Sequence, residues 1–147
     1  MKIIEIMTRE VEIVQPDDTV QLAARKMRDR DVGFLPVCDG DILMGVLTDR
    51  DLTIRALAEG MDTAVMLSRD LMTTPAIHGF DDQDVSEAAR LMEENQIRRL
   101  VILSREDESV VGIISLGDIA RHGTTRLSGQ VLQRVSEPDG SEPPEET

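Results

Sequence analysis

The chain repeats itself, and this duplication restricts its possible folds more than any other feature of its 147 residues. Met7-Thr8 returns as Met72-Thr73, 65 positions later. Val20, Ala23, Ala24 and Met27 return at the same offset as Val85, Ala88, Ala89 and Met92. Leu35-Pro36-Val37 lines up with Leu100-Val101-Ile102. The offset then becomes 67, because the second turn is two residues longer, and Gly45, Thr48 and Asp51 match Gly112, Ser115 and Asp118. Two copies are too few for a solenoid, so a pseudo-symmetric pair is the natural reading. A copy of about 60 residues is marginal alone, and the halves are expected to pack sheet to sheet through a shared apolar interface. The expected divisions are a first repeat at 1–60, a second at 61–126 and an acidic tail at 127–147.

Each copy reads as β-α-β-β-α, which gives an α/β fold. Val11 to Val14 and Pro75 to Gly79 are short apolar-rich stretches. Val20, Ala23, Ala24 and Met27 then fall on one face of a 3.6-residue period. Asp17-Asp18-Thr19 marks the start of this helix, and Asp84 with Glu87 matches a capping box in the second copy. Phe34 to Cys38 and Ile42 to Leu47 flank Asp39-Gly40-Asp41, a hairpin signal. Their counterparts are Leu100 to Leu103 and Val110 to Ile114. Leu52 to Ala58 closes the first copy, and Ile119 to His122 begins the equivalent segment. The tail from about Leu127, with Ser136 to Thr147 rich in Pro, Ser and acid, is expected to be disordered.

Sixteen basic residues against 29 acidic ones give a net charge of −13. Such a surface repels nucleic-acid phosphates. With Phe34 and Phe80 the only aromatic residues, no base-stacking platform is available. Cys38 is the single cysteine, so no intrachain disulfide and no thiolate zinc site is expected; burial at a strand end points to a packed thiol. No stretch approaches a membrane span, and an acid at Glu5 interrupts any signal-peptide core. A cytoplasmic location is expected.

Both copies carry G-x-x-[ST]-x-x-D at the end of their last strand. It stands as Gly45-Val46-Leu47-Thr48-Asp49-Arg50-Asp51 and as Gly112-Ile113-Ile114-Ser115-Leu116-Gly117-Asp118. With the Met-Thr entry and the Leu-Pro-Val strand, residues 1 to 123 resemble a tandem pair of cystathionine-β-synthase-type (CBS) domains, a Bateman module. The second copy departs from the pattern in having Val101 where Pro36 stands.

The resemblance implies a regulatory module that binds adenosine-containing ligands: AMP, ADP, ATP or S-adenosylmethionine. It passes the ribose and phosphate roles to Thr48 and Asp51 and to Ser115 and Asp118. It also implies apolar strand residues at an adenine slot, where Phe34, Leu35 and Pro36 are the candidates; core packing is the competing role for Phe34. The chemistry is sound on its own terms, since an ionised carboxylate accepts from both hydroxyls of a ribose. A helix start also favours phosphate oxygens. The same spacing equally satisfies a capping box, worth about 1 kcal/mol without any ligand. The two roles can coexist. Arg50, Arg98, Arg99 and Arg121 are candidate phosphate contacts, each with an ordinary surface role as the alternative. Arg98-Arg99 stand where the first copy has Gly33-Phe34, which points to two unequal sites.

No catalytic constellation is visible. His78 and His122 lie in no metal-binding spacing, and neither a nucleophile elbow nor a phosphate-binding P-loop is present. The expectation is a ligand sensor and not an enzyme, with no catalytic or metal residues and no required cofactor. It would be a homodimer by resemblance. With no length left for an attached effector domain, its output would pass to a separate protein partner. The alternative is a ligand-free structural protein acting through its dimer surface.

Overall fold

The structure, a computed structural model, describes residues 1–122 and 125–137. In the first repeat, α1 (Val20–Arg30) leads into a hairpin of β1 (Phe34–Asp39) and β2 (Ile42–Thr48). A single helical turn, α2 (Asp49–Asp51), then continues as a π-helical segment, Leu52–Leu57. After a short α3 (Ser68–Leu71), the second repeat runs β3 (His78–Phe80), α4 (Val85–Asn95), β4 (Arg99–Leu103), β5 (Val110–Ser115) and α5 (Leu116–His122). A last helix, α6 (Thr125–Val135), follows. The mixed α/β architecture anticipated from the repeat is present.

Local chemistry explains the element boundaries. Thr19 caps α1 by accepting the Leu22 N–H at 3.1 Å. Asp84 caps α4 by accepting the Ser86 N–H at 2.9 Å, supplying helix-start donors with an acceptor. Glu87 does not complete the expected box; it pairs with Arg90 at 2.8 Å. Both helices end on a left-handed residue, Asp31 (φ 53) and Gln96 (φ 52), at equivalent positions. The β1–β2 turn uses Gly40 at φ +60, a conformation that suits a residue without Cβ. Each hairpin carries one irregularity, after Val37 and after Ile102.

The first apolar stretch behaves differently in the two copies. In the second, β3 runs parallel to β4. In the first, only Val14 pairs, parallel to Val37, so the expected strand at Val11 to Val14 shrinks to one bridge.

The segment that precedes each repeat crosses to the other repeat. Thr8 and Ile113 exchange backbone hydrogen bonds of 2.8 and 2.9 Å, and Thr73 and Val46 do the same at 2.8 and 3.1 Å. Val85 N–H donates to Met1 O as Val20 N–H donates to Met66 O. Two apolar cores result, each containing residues from the other half. Ile3 and Met7 pack with Val85, Met92, Leu100 and Ile114. Leu71 packs with Val20, Met27, Leu35 and Leu47.

Helix α6 breaks the symmetry. Its Val131 is fully buried in the second core, with Leu127 and Val135 packed around it. Residues 127–135 therefore correct the expectation of a disordered tail: Leu127, Val131 and Val135 recur every four residues and form the apolar face of a helix. The acidic stretch from 138 onward lies outside the described residues. Ala89, under this half, is buried, whereas its mate Ala24 is exposed.

Crossing demands close approach. A Cβ at Gly45 would lie 2.8 Å from Met72 Sδ, and one at Gly112 would lie 2.6 Å from Met7 Sδ. Gly112→Ala is therefore expected to cost about 1–3 kcal/mol by overpacking, read as a lower urea midpoint; an unchanged midpoint would contradict the contact. Burial, with the Asp41 carboxylate adding to it, pushes the Cys38 thiol up to about 11. The fold thus favours the protonated thiol, and stability is lost as pH rises from the free-thiol value of about 8.5 toward the folded one. Alkylation at pH 8 should be slow in the folded chain and fast in denaturant; fast labelling of the folded chain would refute a packed Cys38.

Candidate functional site

The crossing leaves two clefts between the repeats, each at the junction of a last strand and the helix after it. In both, the motif residues make reciprocal caps. Asp51 N–H donates to Thr48 Oγ1 at 3.1 Å, and Thr48 N–H donates to Asp51 Oδ2 at 3.0 Å. Asp118 N–H donates to Ser115 Oγ at 3.1 Å, and Ser115 N–H donates to Asp118 Oδ2 at 2.8 Å. The capping function is therefore real, and it uses one oxygen of each carboxylate.

The other oxygens differ. Asp118 Oδ1 accepts from Arg121 at 2.5 Å, while Asp51 Oδ1 is 3.8 Å from Arg55, outside hydrogen-bond reach. Arg55 instead donates to Leu71 O at 2.9 Å and to Thr73 Oγ1 at 3.2 Å. Asp51 thus keeps an acceptor available.

The first cleft, about 280 Å³, brings Thr48 and Asp51 together with Phe34, Arg98 and Arg99, under an apolar wall of Val46, Pro75, Ile77 and Ile97. The second, about 730 Å³, brings Ser115, Asp118 and Arg121 together with Phe34, Arg99 and Ile113. The larger falls within the range of small-molecule pockets, ~300–1,000 Å³, and the smaller lies just below it. Phe34 and Arg99, equivalent residues of the two copies, line both clefts. Of the candidate site residues, three fall elsewhere. Leu35 is fully buried in the first core and Pro36 is buried beside it, because both belong to the inner β1 strand. They are core residues, a correction to the expected adenine slot. Arg50 is exposed on α2 and lines neither cleft.

Sequence reasoning missed the walls that each cleft borrows from the opposite repeat: Pro75, Ile77 and Ile97 in the first, Glu10 and Glu12 in the second. The signal was present in the repeat, since Glu10 and Glu12 occupy the positions of Pro75 and Ile77. Among the described residues, no group of three or more His, Cys, Asp or Glu could hold a metal ion, and no helix is long and apolar enough to cross a membrane. His78 and His122 are both exposed, and His78 stacks edge to face on Phe80.

The model of the CBS domain matches residues 3–57 and again residues 68–124. The chain belongs to the CBS domain family. It is a tandem pair, a regulatory module. It is 37% identical over 133 residues to the CBS domain-containing protein YhcV of Bacillus subtilis, covering 90% of this chain and 93% of that protein. It is 35% identical over 135 residues to Hypoxic response protein 1 of Mycobacterium tuberculosis, covering 91% and 93%. The crystal structure of Hypoxic Response Protein I with two coordinated zinc ions superimposes with a TM-score of 0.76 at 36% identity, covering 83% of this chain and 98% of that one. The CBS pair of MJ0100, solved in complex with 5′-methylthioadenosine and S-adenosyl-L-methionine, has a TM-score of 0.72 at 24% identity, covering 82% and 94%, and speaks for the fold.

Thr48→Ala and Ser115→Ala should each destabilise the protein by about 1 kcal/mol through loss of the cap, measured by urea denaturation with ligand absent. An unaltered midpoint in both would show that the caps contribute nothing.

Proposed function

We propose that this CBS pair senses an adenosine-containing ligand, held in the clefts between its repeats, and passes the signal on through a change of shape. One observation carries the reading: Asp51 Oδ1 has no hydrogen-bond donor among the described residues, at the base of a cleft whose wall is apolar. A ribose offers two adjacent hydroxyl donors to such an oxygen. Val46, Ile77 and Ile97 provide a face for an adenine, and Phe34 stands at the same cleft. In this reading Thr48 faces the ribose, and Arg98 and Arg99 receive phosphate. Ser115, Asp118 and Arg121 are the matching groups of the second cleft. Its Asp118 must first release Arg121, which favours the first cleft. The MJ0100 pair, alike in fold, supports an adenosyl ligand.

The reading contains no catalytic step. Binding shifts the module between shapes only so far as the ligand prefers one of them. The signal then goes to a separate protein partner. The module works as a homodimer, for which the exposed Ile54 and Leu57, 50% and 74% accessible, offer apolar surface.

Melting followed by circular dichroism, in a chain without Trp or Tyr, tests the reading against AMP, ADP, ATP and S-adenosylmethionine. At a concentration about 100-fold above Kd, a ligand should add about 2.7 kcal/mol. The same ligand should leave Asp51→Ala unshifted. No shift from any compound, or a full shift in Asp51→Ala, would overturn it.

A further inference from the structure

Resting on the reading of the clefts as adenosyl sites, we propose that they sort ligands by charge. The first takes the phosphate-bearing ligand, and Arg99, shared by both clefts, limits the chain to one such ligand at a time.

The clefts are pseudo-symmetry mates, so the wall of one can be read against the wall of the other. Where the first has Pro75 and Ile77, the second has Glu10 and Glu12. Where the first has Arg98, the second has Gly33. A Cβ at Gly33 would stand 2.6 Å from an Asp49 carboxylate oxygen, so any side chain at this position would require the exposed Asp49 side chain to turn aside. In the second repeat Leu116 takes the place of Asp49, and Arg98 projects freely.

The charges follow from these differences. In the first cleft one acid, Asp51, faces two arginines, Arg98 and Arg99. Both are exposed, and among the described residues neither guanidinium has a hydrogen-bond or ion-pair partner. Two unpaired guanidinium forks beside a ribose-binding carboxylate suit the oxygens of a phosphate.

The second cleft is lined by four acids, Glu10, Glu12, Asp31 and Asp118, against three arginines. Two of those arginines are already engaged: Arg30 with Glu12 at 3.2 Å, and Arg121 with Asp118 at 2.5 Å. Only Arg99 is uncommitted. The wall is net negative even with Arg99 counted; once Arg99 turns to a phosphate in the first cleft it is more so, with no uncommitted guanidinium left to offset it, and a second phosphate is repelled.

Isothermal titration calorimetry of the full chain, with AMP and adenosine as probes, tests this. AMP should bind with one equivalent per chain and at least about tenfold more tightly than adenosine. Arg98→Gln, which alters the first cleft alone, and Arg99→Gln should each collapse that ratio toward one. Two AMP sites of equal affinity, or a ratio that survives in both variants, would overturn the proposal. Adenosine binding as tightly as AMP would overturn the sorting while leaving the adenosyl reading intact. No binding of any adenosyl compound would end both.

Discussion

Four backbone hydrogen bonds, exchanged between Thr8 and Ile113 and between Thr73 and Val46, join the two repeats of this molecule. They place the lead-in segment of each repeat on the last strand of the other. Neither core is then complete without the opposite half, because Ile3 and Met7 belong to one and Leu71 to the other. Gly45 and Gly112 follow from the same contact, since only hydrogen in place of Cβ lets a methionine and a carbonyl approach so closely. Duplication here does more than add length: it supplies each half with a partner surface, as expected for units too small to stand alone.

The clefts are by-products of that crossing. Thr73, Pro75 and Ile77 continue directly from the crossing strand and wall the first cleft; Thr8, Glu10 and Glu12 do the same for the second. The motif carboxylates are oriented by their own caps, and in the first cleft this leaves Asp51 Oδ1 without a hydrogen-bond donor among the described residues. Symmetry of backbone combined with asymmetry of side chains turns one architecture into two chemically distinct sites.

Much of this was legible in the amino-acid order. The repeat located the four hairpin strands to within a residue and the starts of α1 and α4, because apolar period and turn residues are local signals, whereas α5 begins three residues before the expected Ile119 and α3 was not anticipated. The motif positions Thr48, Asp51, Ser115 and Asp118 do face the clefts, since a strand-to-helix junction fixes where they point. Leu35 and Pro36 were not placed correctly: an apolar strand run says that its residues are inward, not whether inward means core or cleft, and β1 is buried continuously from Leu35 to Cys38. The crossing itself left no local trace, for an isolated bridge such as Thr8 to Ile113 depends on residues a hundred positions apart. Helix α6 was masked by the polar composition around its sparse face of Leu127, Val131 and Val135.

Amide hydrogen exchange across the full chain examines the crossing most directly. Thr8, Val46, Thr73 and Ile113 should exchange only through global opening, as slowly as the central strand amides of Leu100 and Ile102. Exchange at these four amides as fast as in the exposed loops, with the strands still protected, would contradict it.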